Sequence, residues 1–503
     1  MRLKSEMSFP QKSIGQNFAA LSLGQLASRF LSFLASVHLA KALGADGLGQ
    51  LLILTSILAY AASLVDFGLT KFGPVKVGRA DGPLDELVSN VVMLRLLVAV
   101  PVLLILLVVT LISPLSAAQK MMAALYVLSI IPNVFDLGWV FIGTRWAMPT
   151  AVCNMISQML YAAGVVLFVK SPQQIEIVPA IFLCSNFALV AAQLLFFAAK
   201  FRFRFKRPEF PLIKELGIAS LPLMGSSVVG SILVNFEILV TGACLNASAS
   251  GLFGAASKIT AMLIMLAGSY FAVLAPLIAR AYRSGRSPLE ELLKVSLKLT
   301  TALSIGVVAG GLVLSSSIIQ LLFGPDFQAA TGAFQILIFS FGLIAISRNY
   351  RMCLIATGHQ SVDFKVVSLS ALVTVITCPL MVMIFGILGA ACVAVLAEVI
   401  LLAGFATAIR RLDLSVPFLP YVWKPLVCAS IMSVCLFIWP NMPALLRIAE
   451  GATIYIVVLL LLNVTSLSEV REFLSGSLSP EALEPESHAG SCKSLEPVAP
   501  VAS

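Results

Sequence analysis

Apolar runs of roughly twenty residues or more recur from about residue 14 to residue 466. That is the length a helix needs to cross about 30 Å of hydrocarbon at about 1.5 Å per residue. Spanning strands would be about ten residues long and would alternate in polarity, which these runs do not, so the chain reads as an all-α polytopic membrane protein. Charged residues make up only 11% of it, against about 25% in a soluble domain. The spans fall near 14–41, 48–70, 87–112, 118–142, 147–169, 176–199, 213–243, 249–277, 291–316, 331–357, 362–385, 387–409, 418–440 and 444–465, fourteen in all. Twelve is the competing count, because the last two carry weaker polar punctuation. The first run, at nearly thirty residues and without a clear cleavage site, is too long for the core of a signal peptide and reads as a retained helix.

Lysine and arginine set the expected orientation, since cytosolic loops are enriched in them. With the first helix starting inside, twenty-five fall on one side, from Arg2, Lys4 and Lys12 to Arg471 and Lys493. Only Lys41, Lys120, Lys170 and Arg447 fall on the other. Both termini are therefore expected in the cytosol. The net charge of +9 follows from this asymmetry and calls for no nucleic acid, as no basic soluble domain is there to present one.

An internal repeat organises the chain. "LGADGLGQLLI" begins at Leu43 and "LNASASGLFGA" at Leu245, an offset of 202 that carries Gly49 onto Gly251 and Pro74 onto Pro276. The offset grows to about 215 farther on, carrying Gly143 onto Gly358, with the extra residues near "LFGPDFQAA". Six helices thus repeat in the same orientation, giving two parallel six-helix lobes around a central cleft, whose rocking is a route to alternating access. The expected units are an N-lobe at 1–210, a C-lobe at 211–412, two additional helices at 413–466 and a disordered cytosolic tail at 467–503 rich in Ser, Pro and Glu. The lobes join at the basic "AAKFRFRFKRPEF", residues 198–210. It reads either as a linker obeying the positive-inside rule or as a grip on anionic headgroups.

Loops are short on both sides, so function must lie between the helices, where each ionisable residue is a site candidate. Glu237, inside "ILVNFEILV", and Lys258 sit at similar depth on consecutive antiparallel helices. They are expected to pair, either as a self-neutralising ion pair or as one that rearranges with substrate. Arg29 stands near mid-depth with no acid at helical spacing, while Asp66 and Asp136 lie closer to the cytosolic end and are the acids that could reach it. Arg348 and Arg351, one turn apart, either face the cytosolic mouth or snorkel to the interface, and Arg95 reads mainly as snorkelling. Glu398 is an isolated mid-membrane acid, either a coupling group or a protonated packing residue. The cysteines show no metal or disulfide spacing and read as small packing residues.

The "LGADGLGQLLIL" hairpin, "DFGL", "LPLMGSSVVGSILVNFEILVTGACL" with "GLFGAASKI", "LFGPDFQAA" and "ATGHQ" resemble the polysaccharide-exporter branch of the multidrug, oligosaccharidyl-lipid and polysaccharide flippase superfamily. The resemblance spans roughly residues 12–465. It departs at Phe253, where a tyrosine is common, and at "NAS" in the second hairpin, where a glycine is usual. The resemblance implies a flippase, not an enzyme, that moves undecaprenyl-pyrophosphate-linked oligosaccharide to the outer leaflet of a bacterial inner membrane. It also implies a cationic cavity, coupling to H+ or Na+ without a bound cofactor, contact with membrane lipids, and a polysaccharide polymerase and chain-length regulator as partners. Arg29, Lys258, Arg348 and Arg351 are then the expected substrate-binding residues, and Glu237, Glu398 and Asp66 the expected coupling or ion-pair residues. A multidrug exporter, a lipid II flippase and a membrane glycan polymerase are the rival readings.

Overall fold

The computed structural model describes residues 14–464, apart from 80–81, 202–203, 415, 439–441 and 463. The basic start and the 467–503 tail lie outside the described residues. Those described form sixteen α-helices: α1 (Ile14–Asp66), α2 (Leu69–Arg79), α3 (Leu84–Ile112), α4 (Ala117–Leu128), α5 (Ile130–Val134), α6 (Gly138–Gly143), α7 (Met148–Phe168) and α8 (Ile177–Lys200). They continue with α9 (Phe210–Cys244), α10 (Ala247–Ser284), α11 (Arg286–Val313), α12 (Ser315–Phe323), α13 (Thr331–Ala356), α14 (Gln360–Arg411), α15 (Trp423–Ile438) and α16 (Ala444–Leu461).

Where the sequence suggests fourteen spans, twelve helical segments among the described residues are long and apolar enough to cross a membrane. The difference lies in α1 and α14, each of which takes up two of the expected segments. At 53 and 52 residues they would be about 80 Å long if straight, far more than one crossing needs. Both are broken. Gly44 (φ 70°) and Gly386 (φ 60°) adopt positive φ inside them, a conformation open to glycine because it has no Cβ. Beyond Gly386 the chain returns on itself, since the Ser370 hydroxyl donates to the Ala397 carbonyl at 2.9 Å. On a continuous helix those residues would stand about 40 Å apart.

The expected fourth span is also interrupted. Pro132 has no N–H to give the ladder, and the segment divides into α4, α5 and α6. Likewise α1 stops at Asp66, the chain turns at Phe67 (φ 52°) and Gly68 (φ 73°), and α2 leaves as a short helix carrying Lys71 and Lys76 toward the basic face.

At the opposite face the two repeated hairpins cross. A Cβ on Gly49 would lie 1.7 Å from the Ala247 carbonyl oxygen, and one on Gly251 1.8 Å from that of Ala45. The 202-residue offset carries Ala45 onto Ala247 and Gly49 onto Gly251, so one contact is made twice about a local two-fold axis. Lipid offers no hydrophobic drive to helix pairing, and small residues that admit close backbone approach take its place.

A second seam joins α1 and α2 to α9. The Ser63 and Ser231 hydroxyls hydrogen-bond at 2.8 Å, and Lys76 pairs with Glu215 at 2.6 Å. The segment before α9 is tied to α3: the Lys206 and Glu209 N–H groups donate to Ser89 Oγ and Asn90 Oδ1, and Glu86 beside the Lys206 ammonium raises its pKa. Helices α15 and α16 pack on α11, where Tyr455 donates to the Ala302 carbonyl at 2.6 Å.

Candidate functional site

A cavity of about 900 Å³ opens between α1, α9, α10, α13 and α14. Its α9 wall is built from small residues. Pro222 interrupts the hydrogen-bond ladder of α9, and Gly225 and Gly230 beyond it have open space where a Cβ would stand. Ser227, Ser231 and Asn235 follow at four-residue intervals, placing two hydroxyls and an amide on one helix face along the cavity. The Gly49–Gly251 crossing lies beyond one end of this space, and Lys71 and Asp363 lie at the other, toward the basic face.

Five of the seven expected site residues line this one cavity: Arg29, Arg348, Arg351, Glu237 and Glu398. Arg29 is exposed to it and, among the described residues, makes no salt bridge. Arg348 lies over the Phe271 ring at 5.8 Å, a cation–π placement, and also makes no salt bridge among the described residues. The positive charges of Arg29 and Arg351 and the negative charge of Glu398 all act on it. Arg351 differs, because its Nε and Nη2 donate to the two carboxylate oxygens of Asp363 at 2.7 and 3.1 Å. That bidentate fork commits its guanidinium. Glu237 is only 4% exposed and lies within electrostatic range of Tyr60 and Glu398.

Two expectations fail. Lys258 does not line the cavity, and the expected Glu237–Lys258 pair does not form. Ser257, Ala261, Ile264 and Gly268 carry the cavity-facing stripe of α10, whereas Lys258 stands one turn after Gly254, whose face packs on Leu52. Equal depth brought the two charges to one level but not to one azimuth. Asp66 is also away from the cavity. Its Oδ1 accepts from Arg95 Nη2 at 2.7 Å and from the Thr70 hydroxyl at 2.5 Å, capping α2. Arg95 accordingly does not snorkel: it is 1% exposed, with Nη1 donating to the Asp136 carbonyl at 2.8 Å. The Asp136 carboxylate is taken up by Gln193 and the Gly138 N–H, so neither acid approaches Arg29 as an ion-pair partner. Lys71, Asp363 and Phe271 escaped the sequence reading. The signal for Asp363 was its place in the first turn of α14, twelve residues beyond Arg351.

Membrane-spanning helices around a charged internal cavity are an architecture that suits a transporter, and the family match and likenesses that follow assign the chain to the multidrug, oligosaccharidyl-lipid and polysaccharide flippase superfamily. The chain belongs to the family of polysaccharide biosynthesis proteins, whose sequence profile matches residues 14–282. A probable low-salt glycan biosynthesis flippase, Agl15 of Haloferax volcanii, is 23% identical over 368 residues, covering 72% of this chain and 76% of that protein. Among solved structures, the lipid II flippase MurJ in an inward closed conformation superposes with a TM-score of 0.71 at 15% identity, over 88% of this chain and 98% of that one. An inward-facing multidrug MATE transporter superposes with a TM-score of 0.63 at 16% identity, over 76% and 94%. At these identities the two structures speak for the fold alone.

Proposed function

We propose that the protein moves a lipid-linked oligosaccharide, carried on undecaprenyl pyrophosphate, from the cytosolic to the outer leaflet of a bacterial inner membrane for surface or exopolysaccharide assembly. It does so by alternating access, with the lobes at 1–210 and 211–412 rocking about the cavity, fourteen crossings once α1 and α14 are each counted twice, and both termini in the cytosol. The observation that carries this reading is the pair Arg29 and Arg348, cations on helices of opposite lobes that face one cavity without a salt-bridge partner among the described residues. A pyrophosphate leaving water needs opposite charge in a low-dielectric space, and these two groups are free to supply it. Arg351, held by Asp363, shapes the mouth instead. The name of the Haloferax relative, a glycan biosynthesis flippase, supports the same substrate class.

The test is a deletion strain complemented with wild-type or Arg29→Ala protein. Surface polysaccharide and the lipid-linked oligosaccharide held on the inner leaflet would be measured, with susceptibility to cationic drugs read in parallel. Loss of polymer with inner-leaflet intermediate accumulating is expected. Unchanged polysaccharide with raised drug sensitivity would instead establish a multidrug exporter and move attention to Glu237 and Glu398.

A further inference from the structure

The charges of the cavity are sorted by depth. Counted from the turns at the face where the repeated hairpins cross at about 1.5 Å per residue, Glu237 lies about 12 Å down, Asn235 and Ser340 about 15 Å, and Glu398 about 18 Å. Arg29 lies about 22 Å down, and Arg348 and Arg351 about 27 to 32 Å. One tier thus holds two carboxylates with an amide and a hydroxyl; the next, nearer the basic face, holds the arginines. The tiers adjoin, because the charges of Arg348 and Arg351 act on Glu398.

The deep tier also has hydrogen-bonding capacity that the protein leaves unused. Ser340 lines the cavity at 5% exposure, and its Oγ has no hydrogen-bond partner among the described residues. Tyr60 does not line the cavity, but its buried hydroxyl, within electrostatic range of Glu237, is likewise unpartnered among the described residues. Buried polar groups are almost always satisfied, so the unpartnered Ser340 hydroxyl, in the same cavity tier as two carboxylates, marks a place where a ligand supplies the missing bond. Ionised carboxylates only accept, and each offers two oxygens. Their complement is a ligand rich in O–H donors that carries no negative charge of its own.

We propose that the cavity orients its substrate and selects its sugar. The phosphate end rests on Arg29 and Arg348, the glycan enters first and fills the tier of Glu237, Glu398 and Ser340, and those carboxylates favour neutral sugars over uronic or other acidic ones. The inference rests on the flippase reading and deepens it. A neutral sugar donates vicinal hydroxyls to the carboxylates in short, charge-assisted bonds. A uronate would bring a further carboxylate into a tier that already holds two buried ones, and desolvating it there, with no cation in that tier, costs what a neutral sugar does not.

Full-length protein in nanodiscs would be titrated with two probes that differ in one group: citronellyl pyrophosphate bearing a neutral disaccharide, and the same compound ending in glucuronate. The neutral probe is expected to bind at least tenfold more tightly. Glu237→Gln with Glu398→Gln should bring the two affinities to within about twofold, chiefly by improving binding of the glucuronate probe. If the double variant does not fold, Glu398→Gln alone should narrow the ratio. Arg29→Ala should weaken both probes by the same factor. Equal affinities in the wild type, or a preference untouched by the glutamine variants, would overturn the inference while leaving the flippase reading intact. If neither probe binds and a cationic dye does, the flippase reading falls and this inference with it.

Discussion

The buried pair Arg95–Asp66 gives a prediction whose size follows from its geometry. Arg95 is 1% exposed and Asp66 24% exposed on the side chain, and the guanidinium also donates to Thr70 Oγ1 and the Asp136 carbonyl. Removing one partner of a fully buried pair costs about 3–5 kcal/mol, because a charge is left uncompensated. Partial exposure of Asp66 and the surviving bonds of Arg95 reduce this to about 2–3 kcal/mol for Asp66→Asn. Asparagine still accepts from Thr70 and keeps the cap of α2, whereas alanine loses it, adding about 1 kcal/mol. Thermal unfolding in detergent should therefore rank wild type above Asp66→Asn and that above Asp66→Ala, each step by a few degrees. Replacing both partners, as in Asp66→Asn with Arg95→Met, should recover much of the loss, since it removes the stranded charge. An asparagine variant as stable as wild type would refute the charge term of this account, and one no better than alanine would refute the cap.

Three other outcomes are expected. Gly251→Ala places a methyl against the Ala45 carbonyl, which cannot rotate away; overpacking of about 1–3 kcal/mol should part the crossing and raise labelling of a cysteine at Ala247 by an impermeant maleimide. Arg29→Ala should abolish polysaccharide export while leaving the protein in the membrane at normal abundance, which immunoblotting and surface glycan staining would check together. Lys76→Glu with Glu215→Lys should unfold within about 1 kcal/mol of wild type, because the pair is exposed on the Glu215 side and such pairs contribute little; a larger loss in thermal unfolding would show that the seam depends on it.

Much of this fold was legible because lipid imposes length and apolarity on every span. The breaks at Gly44 and Gly386 fall between expected segments, and the repeat placed Gly49 and Gly251 in equivalence before their contact was seen. The site was legible in part. Five charged residues flagged by burial in a span line one cavity, since a charge there needs either a partner or a polar space. Pairing was read less well. Depth counted along two helices fixes a level but leaves rotation about each axis open, and that is where Glu237 and Lys258 parted. The same depth test would have joined Asp66 and Arg95, which stand about equally far in sequence from the connection between α2 and α3. The fork of Arg351 on Asp363 escaped because Asp363 sits at the edge of a span, where a carboxylate needs no explanation.

The doubled contact of Gly49 on Ala247 and Gly251 on Ala45 has the form of a homodimer interface. A half-length ancestor with an even number of helices would insert both copies the same way up and meet itself through that crossing. As two identical chains, however, it would have to carry every cavity charge twice. Under the same 202-residue offset, Arg29 falls on Ser231 and Glu237 on Ala35. Halves that lie in one chain are free of that constraint. The first half keeps Arg29 where the second has a serine, and the second keeps Glu237 where the first has an alanine, so two walls that symmetry would have made alike present different chemistry to one substrate.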